Sequence, residues 1–278
     1  MKIIFIADFF ADQVLGGGEL NNEELIKILD ASPHQVTKIN SHLVTPFLIE
    51  AHKDAKFIVA NFMNLQQHCL DSLLEKDYTI YEHDHKYLTT RDPAHFENFI
   101  APPEAIINKE FYRNAIAVFC QSQFHLDIIK KNLDIDNLIN LSGNLWSTGS
   151  IELIERCEAT PKGNSCAIMD SPIAHKNTRE AVMYCEHKKM PYNLIASANY
   201  KDFLFQMSRN NTFVFFPKTP ETLSRVIVEA RMMGMRILTN KNVGASQEAW
   251  YEEKGKQLIK EVINMRKRIP KTVLEMIE

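Results

Sequence analysis

Two hundred and seventy-eight residues leave room for one large domain or two small ones, each with a real buried core. With 45% hydrophobic and 24% charged residues the composition excludes collagen-like, disordered and disulfide-scaffold classes; no apolar run reaches the roughly 18–20 residues that span a bilayer. A net charge of −3 gives no global positive field for nucleic acid or an anionic membrane, and five scattered cysteines without a C-x-x-C pair point to free thiols in a reducing, cytoplasmic compartment rather than structural zinc.

The chain opens on Lys2–Ala7, read as a buried strand because the apolar run is too short for a signal peptide and meets Asp8 without a cleavage site. Further strands are expected at Gln35–Asn40, Lys56–Ala60, Tyr78–Glu82, Ala115–Cys120 and Leu138–Leu141, alternating with helical patterns such as Glu23–Leu29 and Gln123–Lys131. Turn formers then cluster over 142–150 and a polar stretch runs through Asn164, which places a domain boundary near 145–163 and divides the chain into 1–150 and 151–278. Strands resume at Ser165–Asp170, Tyr192–Ser197, Thr212–Phe216 and Arg236–Thr239. This alternation predicts an α/β protein of two Rossmann-like halves with parallel sheets, binding ligands at the carboxyl ends of the strands in a cleft between the halves. A charged C-terminal helix with Leu258, Ile259, Val262 and Ile263 on one face is free to pack across either half, the N-terminal one included.

Three groups of residues carry chemistry. In the loop after the first strand, Gly16, Gly17 and Gly18 let backbone N–H groups approach a phosphate at a helix beginning near Glu19, the alternative being a flexible turn. The loop is neither G-x-G-x-x-G nor G-x-x-x-x-G-K-[ST], which removes support for dinucleotides and P-loop chemistry. At the end of the fourth strand, His83 beside Asp84 suits acid–base work near neutral pH, the alternative being polar residues that merely close a strand. No metal is expected from His83, Asp84 and His85, because strand alternation sends adjacent residues to opposite faces and no fourth ligand has a recognisable spacing.

The third group spans Phe216–Ala230. Thr219 as N-cap and Pro220 as first helical residue predict a helix with Leu223, Val226, Ile227 and Ala230 on its buried face. Glu221 and Glu229 then lie about 12 Å apart along one helix, placed to grip the two ends of an elongated polar ligand. Lys218, Arg225, Arg231, Arg236 and Lys241, with Lys176 from the loop after Asp170, suit a diphosphate. The alternative is an i,i+4 pair of Arg225 with Glu229 on a solvated helix.

The stretch from Phe213 to Glu248 resembles the donor-binding region of family 4 retaining glycosyltransferases of GT-B fold, which carry two glutamates with seven residues between them, an E-A-x-x-x-G step and a strand leading to a second glycine. Glu221, Glu229-Ala230, Gly234 and Gly244 stand at those positions. Gly16-Gly17-Gly18-Glu19 resembles the family's N-terminal glycine loop and Val118-Phe119-Cys120-Gln121-Ser122 its strand-then-serine, so the resemblance is nearly collinear over the chain. It implies two Rossmann-like domains facing each other across a cleft, and transfer of a hexosyl or pentosyl group from a UDP- or GDP-linked donor without cofactor or metal. By position it implies Glu221 at the donor sugar, Glu229 at the ribose, and Lys176 on the phosphates. Lys218, Thr222, Leu223 and Arg225 would surround the donor, and His83, with Asp84 second, would stand beside the reacting sugar. The family's glycine-aromatic-glycine is replaced by Thr222-Leu223-Ser224-Arg225, which leaves the sugar open, and the arginine before the lysine is missing, with Arg225 or Lys218 as substitutes. The acceptor stays open between a saccharide, a lipid, a protein and a hydroxymethylated DNA base, for the last of which the basic stretch Lys260 to Lys271 offers phosphate contacts. The altered loop also keeps a rival in view, a non-catalytic nucleotide-sugar-binding or scaffold protein of the same fold.

Overall fold

In the computed structural model, which describes residues 1–278 apart from Ser32 and Ala198, all ten expected strands form and every pairing between them is parallel. The elements run β1 (Lys2–Ala7), α1 (Gly17–Asp30), β2 (Gln35–Asn40), α2 (Pro46–Ala51), β3 (Lys56–Val59), α3 (Gln67–Leu73), β4 (Tyr78–Tyr81), α4 (Lys109–Asn114), β5 (Val118–Cys120), α5 (Gln123–Leu133) and β6 (Leu138–Asn140). They continue with α6 (Thr148–Glu158), β7 (Gly163–Met169), α7 (Thr178–His187), β8 (Tyr192–Ile195), α8 (Tyr200–Ser208), β9 (Asn210–Phe215), α9 (Arg225–Met232), β10 (Arg236–Thr239) and α10 (Lys256–Ile277). The chain divides into two compact units, Met1–Leu145 with Met265–Glu278, and Trp146–Asn264.

The first unit holds a sheet of order β2-β1-β3-β4-β5-β6 and the second a sheet of order β10-β9-β7-β8. Central strands such as β1 and β4 are buried along nearly their whole length, as strands covered on both faces must be, whereas edge strand β2 is half exposed. In each sheet the first strand sends its two sequence successors to opposite sides. That creates a switch point between β1 and β3 in one unit and between β7 and β9 in the other, and at such points the loops at the carboxyl ends part to leave a crevice. Local signals fix the helix starts: Ser122 and Ser147 accept the N–H groups of His125 and Ser150, at 3.1 and 3.0 Å, to cap α5 and α6.

One expectation changes. The helix read from Thr219-Pro220 begins only at Arg225, because Glu221 pairs instead with the chain beyond β10: its N–H donates to Asn242 O (2.8 Å) and its carbonyl accepts from Gly244 N (2.9 Å). Glu221 and Glu229 therefore do not share a helix face. In the basic C-terminal stretch Arg266 pairs with Glu24 at 2.7 Å, Lys271 with Glu275 at 3.6 Å, and Arg268 donates to the carbonyls of Leu141 and Ser142 at 2.6 and 3.1 Å. Among the described residues no helix is long and apolar enough to cross a membrane, and all five cysteines are buried free thiols.

Candidate functional site

The switch point of the second unit brings together two residues 45 positions apart. Lys176 follows β7 in a 3-10 turn, Glu221 follows β9, and Nζ donates to Oε1 at 2.6 Å with both side chains partly exposed. Lys218 joins the same rim, its N–H donating to His175 O at 2.9 Å. The turn between Glu221 and α9 contains half-buried Thr222 and fully buried Leu223, whose side chain lies in the core and whose carbonyl accepts from Ala245 N at 3.0 Å. With its side chain in the core, Leu223 has only its backbone to offer a ligand. Ser224 then takes a left-handed conformation, φ 75°, directly before α9.

On α9, Glu229 is 4% exposed, not solvated. Its Oε1 accepts from Trp146 Nε1 and Tyr200 OH, both at 2.9 Å, with Arg225 Nε 4.0 Å away and the Arg225 guanidinium stacked 4.4 Å over the Trp146 ring. Burial raises the Glu229 carboxyl against the pull of Arg225. The solvated-helix alternative for the Arg225–Glu229 pair thus gives way to an enclosed carboxylate. Neither Trp146, which reads from the sequence as packing, nor Tyr200 is recognisable as its partner there.

In the first unit, Gly16 forms the N-cap of α1, so the helix begins at Gly17, slightly before the expected Glu19. A Cβ on Gly18 would come within 3.3 Å of the His83 ring, so glycine there permits the helix to approach the strand end that carries the histidine. His83 lies between two amides, Nε2 2.5 Å from Asn22 Oδ1 and Nδ1 2.5 Å from Gln121 Nε2, an arrangement satisfied by the neutral tautomer with its proton on Nε2. Gln121 follows β5 as His83 follows β4; adjacent parallel strands deliver both to one edge, which is the signal by which Gln121 is found.

Asp84 does not partner the His83 ring; it pairs with Lys86 at 2.6 Å and with Arg91. Burial pushes its carboxyl up, but these two cations outweigh burial and hold it well below the usual range. Beneath it Glu82 and Lys86 are fully buried and joined at 2.7 Å. Glu82 also accepts from the backbone N–H groups of His83 and Asp84, at 3.2 and 2.9 Å, and from Tyr112 OH, so the turn bearing His83 hangs on one carboxylate. His85 lies apart from His83, buried edge-to-face against His125 and Tyr87.

The architecture is that of the GT-B glycosyltransferases. Anabaena HepE, solved in complex with UDP and glucose, matches with a TM-score of 0.61 at 13% identity over 98% of this chain and 99% of that one. Sucrose-phosphate synthase from Thermosynechococcus elongatus matches with a TM-score of 0.64 at 9% identity over 99% and 98%. An alpha-glucosyltransferase in complex with UDP and a 13-mer DNA containing a HMU base matches with a TM-score of 0.50 at 11% identity over 100% and 95%. No protein-family model and no curated protein sequence matches the chain.

Proposed function

We propose that the protein is a glycosyltransferase that moves a sugar from a nucleotide-diphosphate donor, UDP- or GDP-linked, to an acceptor taken at the carboxyl edge of the first unit. The observation that carries this reading is the Lys176–Glu221 contact at the β7/β9 switch point, a cation and a carboxylate at 2.6 Å on the two loops that border the crevice. A donor diphosphate would take Lys176, assisted by Lys218 and Arg225, and Glu221 would be released to the hydroxyls of the sugar. These cations stabilise the negative charge that develops on the leaving diphosphate, so the proposed transfer needs no metal ion and no cofactor. Glu229 is proposed for the nucleoside side, with Trp146 and Tyr200 holding its carboxylate. His83 is the first unit's contribution beside the reacting sugar, and Gly16–Gly18 supply backbone N–H groups. Retention of configuration, a saccharide or hydroxymethylated DNA base as acceptor and a reducing, cytoplasmic setting belong to the same proposal; the solved neighbour holding UDP and DNA supports the second of the two acceptors.

Incubation with UDP-, GDP- and ADP-sugars, reading donor hydrolysis, tests it. One donor is expected to turn over, and Glu221→Ala and Lys176→Ala are each expected to lower the rate by about a hundredfold or more. Nucleotide binding without hydrolysis of any donor would leave a non-catalytic binding protein, and normal turnover in Glu221→Ala would remove the central residue.

A further inference from the structure

Both ring nitrogens of His83 are bonded to side-chain amides, and one backbone carbonyl decides which way round. Gln121 Nε2 lies 2.5 Å from His83 Nδ1 and also donates to Glu82 O at 3.4 Å. A carbonyl can only accept, so the nitrogen of the Gln121 amide, and not its oxygen, faces this side. Nδ1 is then the acceptor of the ring, and the proton is on Nε2, 2.5 Å from Asn22 Oδ1. Asn22 is fully buried, and its Nδ2 has no hydrogen-bond partner among the described residues. Turning that amide over would set an N–H against the Nε2 proton, so its oxygen stays on the ring although its nitrogen goes unpaired. The carbon side of the ring is packed as well: Tyr81 meets it edge-to-face with centroids 5.1 Å apart, and Cγ and Cδ2 face Gly18.

The ionisable groups around the ring are engaged elsewhere. On its own turn Glu82 pairs with Lys86, and Asp84 with Lys86 and Arg91. On α1, Glu19 accepts from Asn61 Nδ2 at 3.3 Å; on α5, His125 Nδ1 accepts the Gln121 backbone N–H at 3.3 Å. A second proton on His83, at Nδ1, would point at the Gln121 amide nitrogen. Turning that amide to receive it would press the amide oxygen against Glu82 O. Resting on the transferase reading, we propose that Asn22 and Gln121 are positioning residues that hold the His83 ring in one orientation and one neutral tautomer, so that it serves the site as a fixed group and not as an acid or a base. The acid–base part suggested by the neighbouring His83 and Asp84 in the sequence is thereby withdrawn.

The test labels the histidines of the full chain with nitrogen-15 and reads them by long-range proton–nitrogen correlation, His83 being the signal lost in His83→Gln. A neutral ring with its proton on Nε2 is expected in the wild type, unchanged between pH 8 and pH 6. Gln121→Glu offers Nδ1 an acceptor and a negative charge, and is expected to bring proton uptake by His83 into that range. With the donor that turns over, Gln121→Leu is expected to lower kcat at least tenfold while leaving the shape of the pH profile as in the wild type. Gln121→Glu should instead lose activity towards pH 6 as its His83 gains a proton. A wild-type His83 that titrates between pH 8 and pH 6 or carries its proton on Nδ1 would overturn the proposal. So would a Gln121→Glu ring that stays neutral at pH 6, or full kcat in Gln121→Leu. If no donor turns over, the transferase reading fails, while the tautomer and titration of the ring still decide whether the two amides hold it.

Discussion

The two units end in carboxyl edges of similar topology whose Lys–Glu pairs are buried to different depths. In the second unit the ions lie at the switch point and remain accessible, Lys176 and Glu221 keeping 24% and 15% of their side-chain surface; in the first, Lys86 and Glu82 keep none. One pair is placed for a ligand to compete with it and the other to hold a turn in shape. The stability cost of breaking each pair should differ accordingly. Lys86→Met leaves a buried carboxylate facing no ammonium and is expected to cost about 3–5 kcal/mol, whereas Lys176→Met is expected to cost at most about 1 kcal/mol. Hydrogen exchange of β4 and β5 amides against β7 and β9 amides reads the two units separately. Equal costs would erase the distinction.

Acid sharpens the comparison. His125 in the first unit is buried, with Nε2 donating to Asp84 O at 3.0 Å and Nδ1 accepting from Gln121 N at 3.3 Å, so its neutral form already uses both nitrogens. Burial lowers its pKa to about 4, and His85, packed against it, is lowered by burial and by His125. Such groups bind protons more tightly when unfolded. Their contribution is therefore complete above the ordinary histidine value and is lost as pH falls towards 4, about 2 kcal/mol at pH 5 for His125. Glu229 in the second unit has the opposite sign: its raised carboxyl gains protons in the native state, so lowering the pH towards the ordinary carboxyl range adds stability. The second unit's histidines, His175 and His187, are both exposed. Between pH 7 and 5, exchange protection should fall in β4 and β5 and hold in β9, and His125→Phe should flatten the first trend. Parallel loss in both units would show that the buried histidines do not set it.

How much of this was legible in the sequence depends on range. Strands built from short β-branched and aromatic runs reveal themselves through local burial, and the edges carrying Gly16–Gly18, His83, Lys176 and Glu221 follow from them. Contacts set by strand order do not, because nothing local says that the loop after β7 neighbours the loop after β9. The helix start at Thr219-Pro220 misled because the pairing of Glu221 with the chain beyond β10 overrides a good local cap. Trp146 lies in a stretch that reads as linker, and only its indole N–H on Glu229, 83 residues away, shows its part. Lys86 and Glu82 have the i,i+4 spacing of an ordinary surface pair, and burial alone distinguishes them.

The smallest effect concerns the turn between Glu221 and Arg225. Ser224 has φ 75° and ψ 84°, a region that costs an L-residue about 1–2 kcal/mol, and its buried hydroxyl has no hydrogen-bond partner. Ser224→Ala removes the hydroxyl and keeps the Cβ, whereas Ser224→Gly removes both. Glycine also loosens the unfolded chain, which opposes folding by about 0.4–1 kcal/mol. The net expectation is a gain of about 0.5–1 kcal/mol for glycine, with alanine between glycine and the natural serine. Thermal melts followed by tryptophan fluorescence report on this unit directly, since Trp146 and Trp250 both belong to it. Should alanine match or exceed glycine, the hydroxyl and not the backbone would be the strained element. Should glycine lead and donor turnover fall, the serine would have a part in holding Glu221 that stability alone does not explain.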